Sequence, residues 1–276
     1  MFSNYLAAPF VFLSLLFLYL AWEVDAEYSI WIAPFVILSA LIFIFSPQIN
    51  WWWYNRRPPE LEPGLTALLE RFSKFYQRLS AADKHRFRNR VALFRMGTDW
   101  EPMAFEGEAV PNDVQLALAA QAVMLTFERP VFLFEKFEKV IVFPRPFSTP
   151  EYPFDHASEL YRPDGCLLFS AEQVMRAFTQ PAGLYNVGLH EYAKAFVLTY
   201  PDDPYPAFDQ EGVWEKLQAV SGMPAGHVES VVGLAGVDAL PVAIHHFFSF
   251  PERFAAVFAE EAKAFEAIFH LNRGDA

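Results

Sequence analysis

The centre of the chain carries the stretch Gly188-Leu189-His190-Glu191-Tyr192-Ala193-Lys194. It lies within a largely apolar segment, 183–200, that stops at Pro201. Apolar residues over this length predict a helix, and a proline ends it because proline cannot continue the backbone hydrogen bonds. His190, Glu191 and Lys194 are among the few residues of the chain that indicate chemistry, so the other assignments are built outward from this helix.

The spacing of these residues is that of a zinc-binding helix in which one ligand has changed. In the motif H-E-x-x-H, two histidines one turn apart bind zinc, and the glutamate is the general base for the zinc-bound water. His190 and Glu191 hold the first two positions, and Lys194 stands where the second histidine is expected. A His-Glu pair alone is more often structural than catalytic, so the surrounding chain decides its meaning.

Several other stretches of the sequence resemble a known protein family, and this resemblance bears on the meaning of the His190-Glu191 pair. In their order and spacing, over about Leu65 to Leu271, they resemble the Mlc titration factor A family, which are glucose-regulated zinc aminopeptidases. No single stretch is specific, but the ordered set is. The stretches are Phe105-Glu106-Gly107 followed by 114–122, Val140-Ile141-Val142-Phe143-Pro144 with Pro146-Phe147, Gly165-Cys166-Leu167-Leu168-Phe169-Ser170, and Phe247-Phe248-Ser249 with Pro251-Glu252 and Phe254.

The resemblance implies a zincin-like, gluzincin-type metallopeptidase domain in which two histidines and a downstream glutamate hold zinc. It implies His190 as the first metal ligand, Glu191 as the catalytic general base and Asp238, where the family has Glu, as the third ligand. Lys194 alters the site, because an ammonium has three donors and no acceptor and repels a dication. We therefore expect no cofactor, and zinc only if the site is active.

Three roles for the altered position stay open. The ammonium of Lys194 either pairs with Glu191 or Asp238 and fills the place of the metal, or it points to solvent. In the third case another residue replaces the lost ligand. His245 lies two helical turns from Asp238, about 10 Å away, which is too far for both to bind one ion. The other candidates for a replacement ligand are His246, His227 and His156.

The first 55 residues differ in composition from the rest. They contain no Lys or Arg, and their only acids are Glu23, Asp25 and Glu27. Two uncharged runs, about 5–22 and 30–50, approach the ~20 apolar residues that a transmembrane helix needs. Residues 1–55 therefore predict a transmembrane helical hairpin. The alternatives are a signal peptide with one anchor, which the missing basic start and cleavage site disfavour, and a buried pair of helices in a soluble protein.

The residues after the second run predict the orientation of this hairpin. Arg56 and Arg57 follow it directly, and positive residues stay on the cytoplasmic side. Trp51, Trp52 and Trp53 are placed at the membrane interface as an aromatic belt. We expect a multi-pass protein of a bacterial-type inner (cytoplasmic) membrane, with its large domain in the cytoplasm. Pro34 lies inside the second span and is expected to kink it.

The remainder predicts an α+β, mainly helical domain. Residues 56–64 are a proline-containing linker, and 65–276 form the cytoplasmic zincin-like domain. Two strands are predicted, Val140–Phe143 and Cys166–Phe169, the second leading into a helix that Ser170 caps. The other predicted helices lie at about 65–76, 83–96, 111–127, 213–220 and 237–248, with a last one beginning at Ser249 and Pro251.

The composition of the chain excludes some classes of protein, and the motif then leaves two possible functions. The net charge of −12 makes nucleic acid an unsuitable partner, and the single Cys166 excludes an intramolecular disulfide framework or a multi-cysteine zinc site. The first function is a membrane-anchored pseudopeptidase, a binding or scaffold/regulatory module whose partners are the membrane and another protein. The second is an active zinc-dependent, aminopeptidase-like enzyme with a non-standard ligand set and Glu191 as general base. The sequence leaves open whether the protein is an enzyme.

Overall fold

The computed structural model of the chain describes residues 2–105, 107, 109–180 and 183–271. Glu106, in the first of the family-like stretches, lies outside these residues. The chain divides into two compact units, Met1–Pro59 and Glu60–Ala276. This boundary falls inside the segment 56–64 that the sequence predicts as a linker.

The described part of the first unit is built from three α-helices and a short 3₁₀ helix. They are α1 (Phe2–Glu23), the 3₁₀ helix Ala26–Trp31, α2 (Ile32–Ile44) and α3 (Ser46–Arg56). The second apolar run is therefore interrupted at Phe45, two residues before Pro47, which lacks the N–H that a continuous helix needs. Pro34 lies in the first turn of α2, where no such N–H is needed, so the interruption is not at the predicted position.

Polar and aromatic contacts fix α1 antiparallel to α2 and α3. The backbone N–H of Ser3 donates to Asn50 Oδ1 at 2.9 Å, and Asn50 Nδ2 donates to Ser3 Oγ at 3.0 Å. Phe17 and Phe35 stack with ring centroids 5.5 Å apart nearer the other end. By length and composition, α1 and the segment Ala26–Ile44 are apolar enough to cross a membrane. These are the two apolar N-terminal helices that the sequence predicts.

The second unit is mainly helical, as predicted. Two of the predicted helices are split, because Ser73 caps a separate α5 and the chain breaks again at Phe258. The helix α11 is not in the prediction. The helices are α4 (Pro63–Phe72), α5 (Lys74–Arg78), α6 (Ala81–Gly97), α7 (Asn112–Thr126), α8 (Ala171–Thr179), α9 (Val187–Thr199), α10 (Val213–Ser221), α11 (Ala225–Val232), α12 (Ala239–Ser249), α13 (Pro251–Val257) and α14 (Ala259–Ile268).

A small mixed sheet completes this unit. Its strands are β1 (Asp99–Pro102), β2 (Lys139–Phe143), β3 (Ser158–Tyr161) and β4 (Cys166–Ser170), in the order β1-β2-β4-β3. β1, β2 and β4 are parallel, and β3 runs antiparallel at one edge. The two apolar strands β2 and β4 are the predicted ones. β1 and β3 are missed because they are short and carry polar residues that mask a strand pattern.

The helix α9 lies at the centre of the second unit. It packs against α7, α12 and the strand β3. Consequently most of its residues are buried, including His190 and Glu191. It begins at Val187 rather than at 183, because the side chain of Asn186 accepts the backbone N–H of Leu189 as an N-cap. His190 and Glu191 are thus held inside the core, where each needs a partner.

Candidate functional site

Glu191 is fully buried and both of its carboxylate oxygens have partners. Ser158 Oγ, on β3, donates to Oε1 at 3.0 Å, and Lys194 Nζ lies 2.7 Å from Oε2. Burial alone raises the pKa of a carboxyl group, but Lys194, His190 and Ser158 together outweigh it and lower the pKa of Glu191. The carboxylate is therefore held in its charged form by an ion pair inside the protein.

Lys194 adopts the first of its predicted roles. Its ammonium pairs with Glu191, while about 29% of its side chain remains exposed. The long aliphatic stem of Lys194 lets the ammonium reach the buried carboxylate of Glu191 while part of the side chain stays at the surface. A lysine one turn after His190 thus supplies a positive charge at the position where the motif has a second zinc ligand.

His190 is buried, with 2% of its surface exposed, and neutral. Burial lowers its pKa to about 4; the charge of Glu191 opposes this change and that of Lys194 adds to it. Its Nδ1 lies 2.7 Å from the hydroxyl of Tyr185, another fully buried side chain. Burial and the charge of Glu191 raise the pKa of Tyr185 well above its ordinary value, so the phenol also stays neutral. His190 is thus fixed by a neutral hydrogen bond.

Two further histidines reach this cluster from α12. The ring of His245 stacks on Tyr185 with centroids 4.1 Å apart. The backbone N–H of Asn186 donates to His245 Nε2 at 3.0 Å, so that nitrogen is the acceptor and the proton lies on Nδ1. His245 Nδ1 then donates to His246 Nδ1 at 3.1 Å, which leaves the proton of His246 on Nε2. Burial holds the pKa of both rings below the ordinary value.

Asp238 does not reach the cluster. It precedes the first residue of α12, is exposed to solvent and makes no side-chain hydrogen bond at the helix start. Among the described residues it has no hydrogen bond or ion pair with His190, Glu191 or Lys194. The structure gives no support to Asp238 as a third ligand, because the residue of α12 that faces His190 lies two turns further on, at His245.

The remaining candidate ligands lie elsewhere. His156 Nε2 is 3.1 Å from Glu159 Oε2, and its Nδ1 is 3.0 Å from the carbonyl oxygen of Phe154, so both ring nitrogens have partners. His227 is exposed on α11. Neither of these histidines has a polar contact with Glu191 or His190 in the described part of the chain.

The side chains of the cluster do not fit zinc. A catalytic zinc site takes three protein ligands and a water molecule. The ammonium of Lys194 has no lone pair to give, and the acceptor nitrogens of His245 and His246 already bind protons. Within residues 2–105, 107, 109–180 and 183–271, no group of three His, Cys, Asp or Glu side chains is arranged to hold a metal ion. The residues present support a charge pair rather than a metal centre.

The sequence does not reveal three members of the cluster. Ser158 lies on a strand too short to be predicted, and it meets Glu191 only through the packing of β3 on α9. Tyr185 belongs to no motif that the sequence shows, although its place five residues before His190 is a usable signal. His245 is considered only as a replacement ligand, since nothing local shows which face of α12 meets α9.

The predicted interface residues form a compact group in the first unit. The guanidinium of Arg56 lies 4.3 Å from the ring centroid of Trp52, and that of Arg57 lies 4.6 Å from the centroid of Trp53. Trp53 also stacks on Phe2 at 3.9 Å. Trp51 is partly buried on the same helix. Such cation–π pairs keep aromatic rings and positive charges together at the end of α3.

Comparison with protein families agrees with the motif. The family described as glucose-regulated metallo-peptidase M90 matches residues 49–196, which is more than half of the chain and includes His190, Glu191 and Lys194. The match begins within α3 and stops before α12, so it does not extend to Asp238 or His245. No curated protein is similar enough to count as a match. The resemblance inferred from the sequence is confirmed over this range, and the chain belongs to the glucose-regulated metallo-peptidase M90 family.

Proposed function

We propose that this protein is a membrane-anchored pseudopeptidase, in which a metallopeptidase-type domain serves as a binding or scaffold/regulatory module. The observation that carries the proposal is the ion pair between Lys194 and Glu191. It places a fixed positive charge at a metal-ligand position of the family motif and occupies the residue that would be the general base. Two catalytic requirements are thus lost in one contact.

The state of Glu191 supports this proposal further. A general base works best when its pKa lies near the operating pH, and enzymes raise the pKa of such glutamates by burial. Here the partners of Glu191 lower its pKa instead, which makes it a weaker base. Moreover, Glu191 has no exposed surface, and its two oxygens face Ser158 and Lys194 rather than solvent.

We expect full-length, tag-free protein purified in detergent to contain far less than one zinc per chain, before and after incubation with zinc. The reason is that only His190 retains the chemistry of a ligand in the family motif. Elemental analysis measures this directly. A value near one zinc per chain would contradict the proposal and favour the active, aminopeptidase-like alternative. In that case peptide hydrolysis would be measured for the native chain and for Glu191→Gln. Hydrolysis by the native chain that the variant lacks would show that the protein is an active peptidase.

The N-terminal unit is proposed to be a transmembrane hairpin of a bacterial-type inner membrane. Two observations support this proposal. Two paired apolar segments are long enough to cross a membrane, and Arg56 and Arg57 lie at the end of α3. The positive-inside rule then places both ends of the hairpin and the large domain in the cytoplasm. The tryptophans of α3 would lie at the cytoplasmic interface. The acidic turn at 23–29 would face the other side.

Cysteine labelling tests this orientation with little background, because the native Cys166 is buried. We expect Ser29→Cys, at an exposed position of the 3₁₀ helix that connects α1 to α2, to react with a membrane-impermeant maleimide in sealed spheroplasts. The matched variant Ser230→Cys, on the exposed surface of α11, should react only after the membrane is opened. The reverse pattern would invert the topology, and protection of both sites in sealed cells would contradict the proposed exposure of this connection on the outer side.

The module is proposed to act on another protein at the membrane. A scaffold role fits an intact, well-packed domain whose family site carries an internal ion pair. The net charge of −12 makes nucleic acid an unsuitable partner, because the two would repel each other.

A further inference from the structure

Two arginines and two tryptophans form a patch at the end of α3. We call this group, Trp52, Trp53, Arg56 and Arg57, the guanidinium patch. The guanidinium carbon of Arg56 lies 4.3 Å from the ring centroid of Trp52, and that of Arg57 lies 4.6 Å from the centroid of Trp53. Such a contact holds a positive charge against the ring, but it gives the guanidinium N–H groups no oxygen acceptor.

The donors of both guanidinium groups are unused. Arg56 and Arg57 are exposed, and neither has an ion pair or a side-chain hydrogen bond among the described residues. A guanidinium is a planar fork of N–H donors that matches the two oxygens of a carboxylate or phosphate. Arg86 shows this arrangement elsewhere in the chain, because its two terminal nitrogens bind both oxygens of Glu128 at 3.0 and 2.5 Å. The guanidinium patch therefore offers two such forks to an anion.

The acids of the first unit do not balance these two charges. Phe2 stacks on Trp53 at 3.9 Å, so the start of α1 lies at the guanidinium patch. The acids Glu23, Asp25 and Glu27 lie at the other end of this 22-residue helix or beyond it, about 30 Å away at ~1.5 Å per residue. Charges at that distance are screened, since the Debye length is about 8 Å at physiological ionic strength.

The surroundings of the guanidinium patch indicate which anion it binds. Tryptophan rings prefer the headgroup level of a bilayer. The helix α1, which is long enough to cross a membrane, begins beside Trp53. The anionic groups at that level of a bilayer are the phosphodiesters of lipids. We propose that the guanidinium patch binds the phosphate groups of anionic phospholipids. This inference rests on the membrane anchor proposed above, and it adds the lipid that the anchor selects.

Lipid binding at this position would fix the depth of the hairpin in the membrane. The start of α1 and the end of α3 are already joined there by the Ser3–Asn50 hydrogen bonds and by the stacking of Phe2 on Trp53. Phosphates bound to Arg56 and Arg57 hold both helix ends at the headgroup level. The chain then leaves the membrane directly before Pro58.

Native mass spectrometry of the full chain in detergent tests the proposal, with equal amounts of phosphatidylglycerol and phosphatidylcholine added. We expect the native chain to retain phosphatidylglycerol at least about fivefold more than phosphatidylcholine, because basic residues at a membrane surface favour a net negative headgroup. Arg56→Gln combined with Arg57→Gln should abolish this preference. The matched control, Arg253→Gln combined with Lys263→Gln, removes the same charge from exposed positions of α13 and α14 and should keep it.

Three results would overturn the proposal. They are equal retention of the two lipids by the native chain, a preference that the arginine variant keeps, and displacement of phosphatidylglycerol by inorganic phosphate, which would indicate a site for the free ion. Flotation after reconstitution into vesicles of phosphatidylcholine alone tests the anchor separately. The native chain and the arginine variant should both float, because the apolar segments need no anionic lipid. A chain that floats but selects no lipid contradicts only this inference, whereas a chain that does not float contradicts the anchor itself.

Discussion

A chain that carries both Lys194→His and His245→Glu is expected to bind about one zinc ion, in contrast to the native protein. The first change restores a histidine one helical turn after His190, as in the H-E-x-x-H motif. The second places a carboxylate on the face of α12 that meets α9. Two histidines, one glutamate and a water molecule form the ligand set of a catalytic zinc site.

The structure gives the reason why the carboxylate belongs at 245. His245 stacks on Tyr185, the residue that binds His190, whereas Asp238 is exposed two turns earlier. A glutamate at 245 can still accept the backbone N–H of Asn186 with one oxygen and bind zinc with the other. Without metal this carboxylate would be buried near Glu191, so zinc should also raise the melting temperature of the double variant.

Elemental analysis and thermal unfolding with and without zinc measure both effects. Lys194→His alone should bind zinc weakly, because it lacks the third ligand. Adding Asp238→Asn to the double variant is the matched control, and it should change nothing if Asp238 is not a ligand. A folded double variant that stays free of zinc would show that 190, 194 and 245 do not face a common point, and would contradict the site described above.

The second large effect is expected from Lys194→Met, which should lower the free energy of unfolding by about 3 kcal/mol. Removal of one partner of a buried ion pair leaves the other charge without compensation, and the usual cost is about 3–5 kcal/mol. The lower value applies because Lys194 keeps some contact with solvent. Glu191, with no exposed surface, is the group left without its partner.

A double-mutant cycle isolates the contribution of this contact to the free energy of unfolding. It compares the denaturant unfolding of the native chain, Lys194→Met, Glu191→Gln and the combination of both changes. Glu191→Gln combined with Lys194→Met should recover most of the lost stability, because a neutral amide can still accept from Ser158 and is cheaper to bury. Lys263→Met is a suitable comparison, since it breaks a pair with the same spacing that is exposed at both ends, Lys263–Glu260, and should have no measurable effect. Equal effects of the two methionine variants would mean that Lys194 is not a partner of a buried charge.

Local patterns predict much of the fold. The apolar segment that contains α9, the apolar strands β2 and β4, and the position of Ser170 before α8 are all visible in a single stretch of chain. So are the two apolar N-terminal helices, because length and composition are sufficient to identify them. The family is also recognisable, since the ordered stretches need no knowledge of packing.

The chemistry of the site is less visible, because it depends on which elements meet. Ser158 contacts Glu191 only because the edge strand β3 packs on α9, and its own neighbours do not indicate this. Whether Asp238 or His245 lies opposite His190 depends on the position of α12 along the axis of α9. The hydrophobic periodicity of the sequence does not determine that position. By contrast, the pairing of Lys194 with Glu191 is a local i,i+3 contact, and the sequence was sufficient to propose it.

The hydrogen bond from the backbone of Asn186 to His245 also provides a probe of the whole centre. Buried amides exchange with deuterium only when their hydrogen bond opens, so the rate at this amide measures how often α12 separates from the start of α9. Most amides report on the helix or strand that contains them, because their acceptor is a nearby carbonyl. This one reports on a contact between residues 59 positions apart in the chain. Selective ¹⁵N labelling of the seven asparagines would therefore follow the integrity of the core through the backbone signal of Asn186.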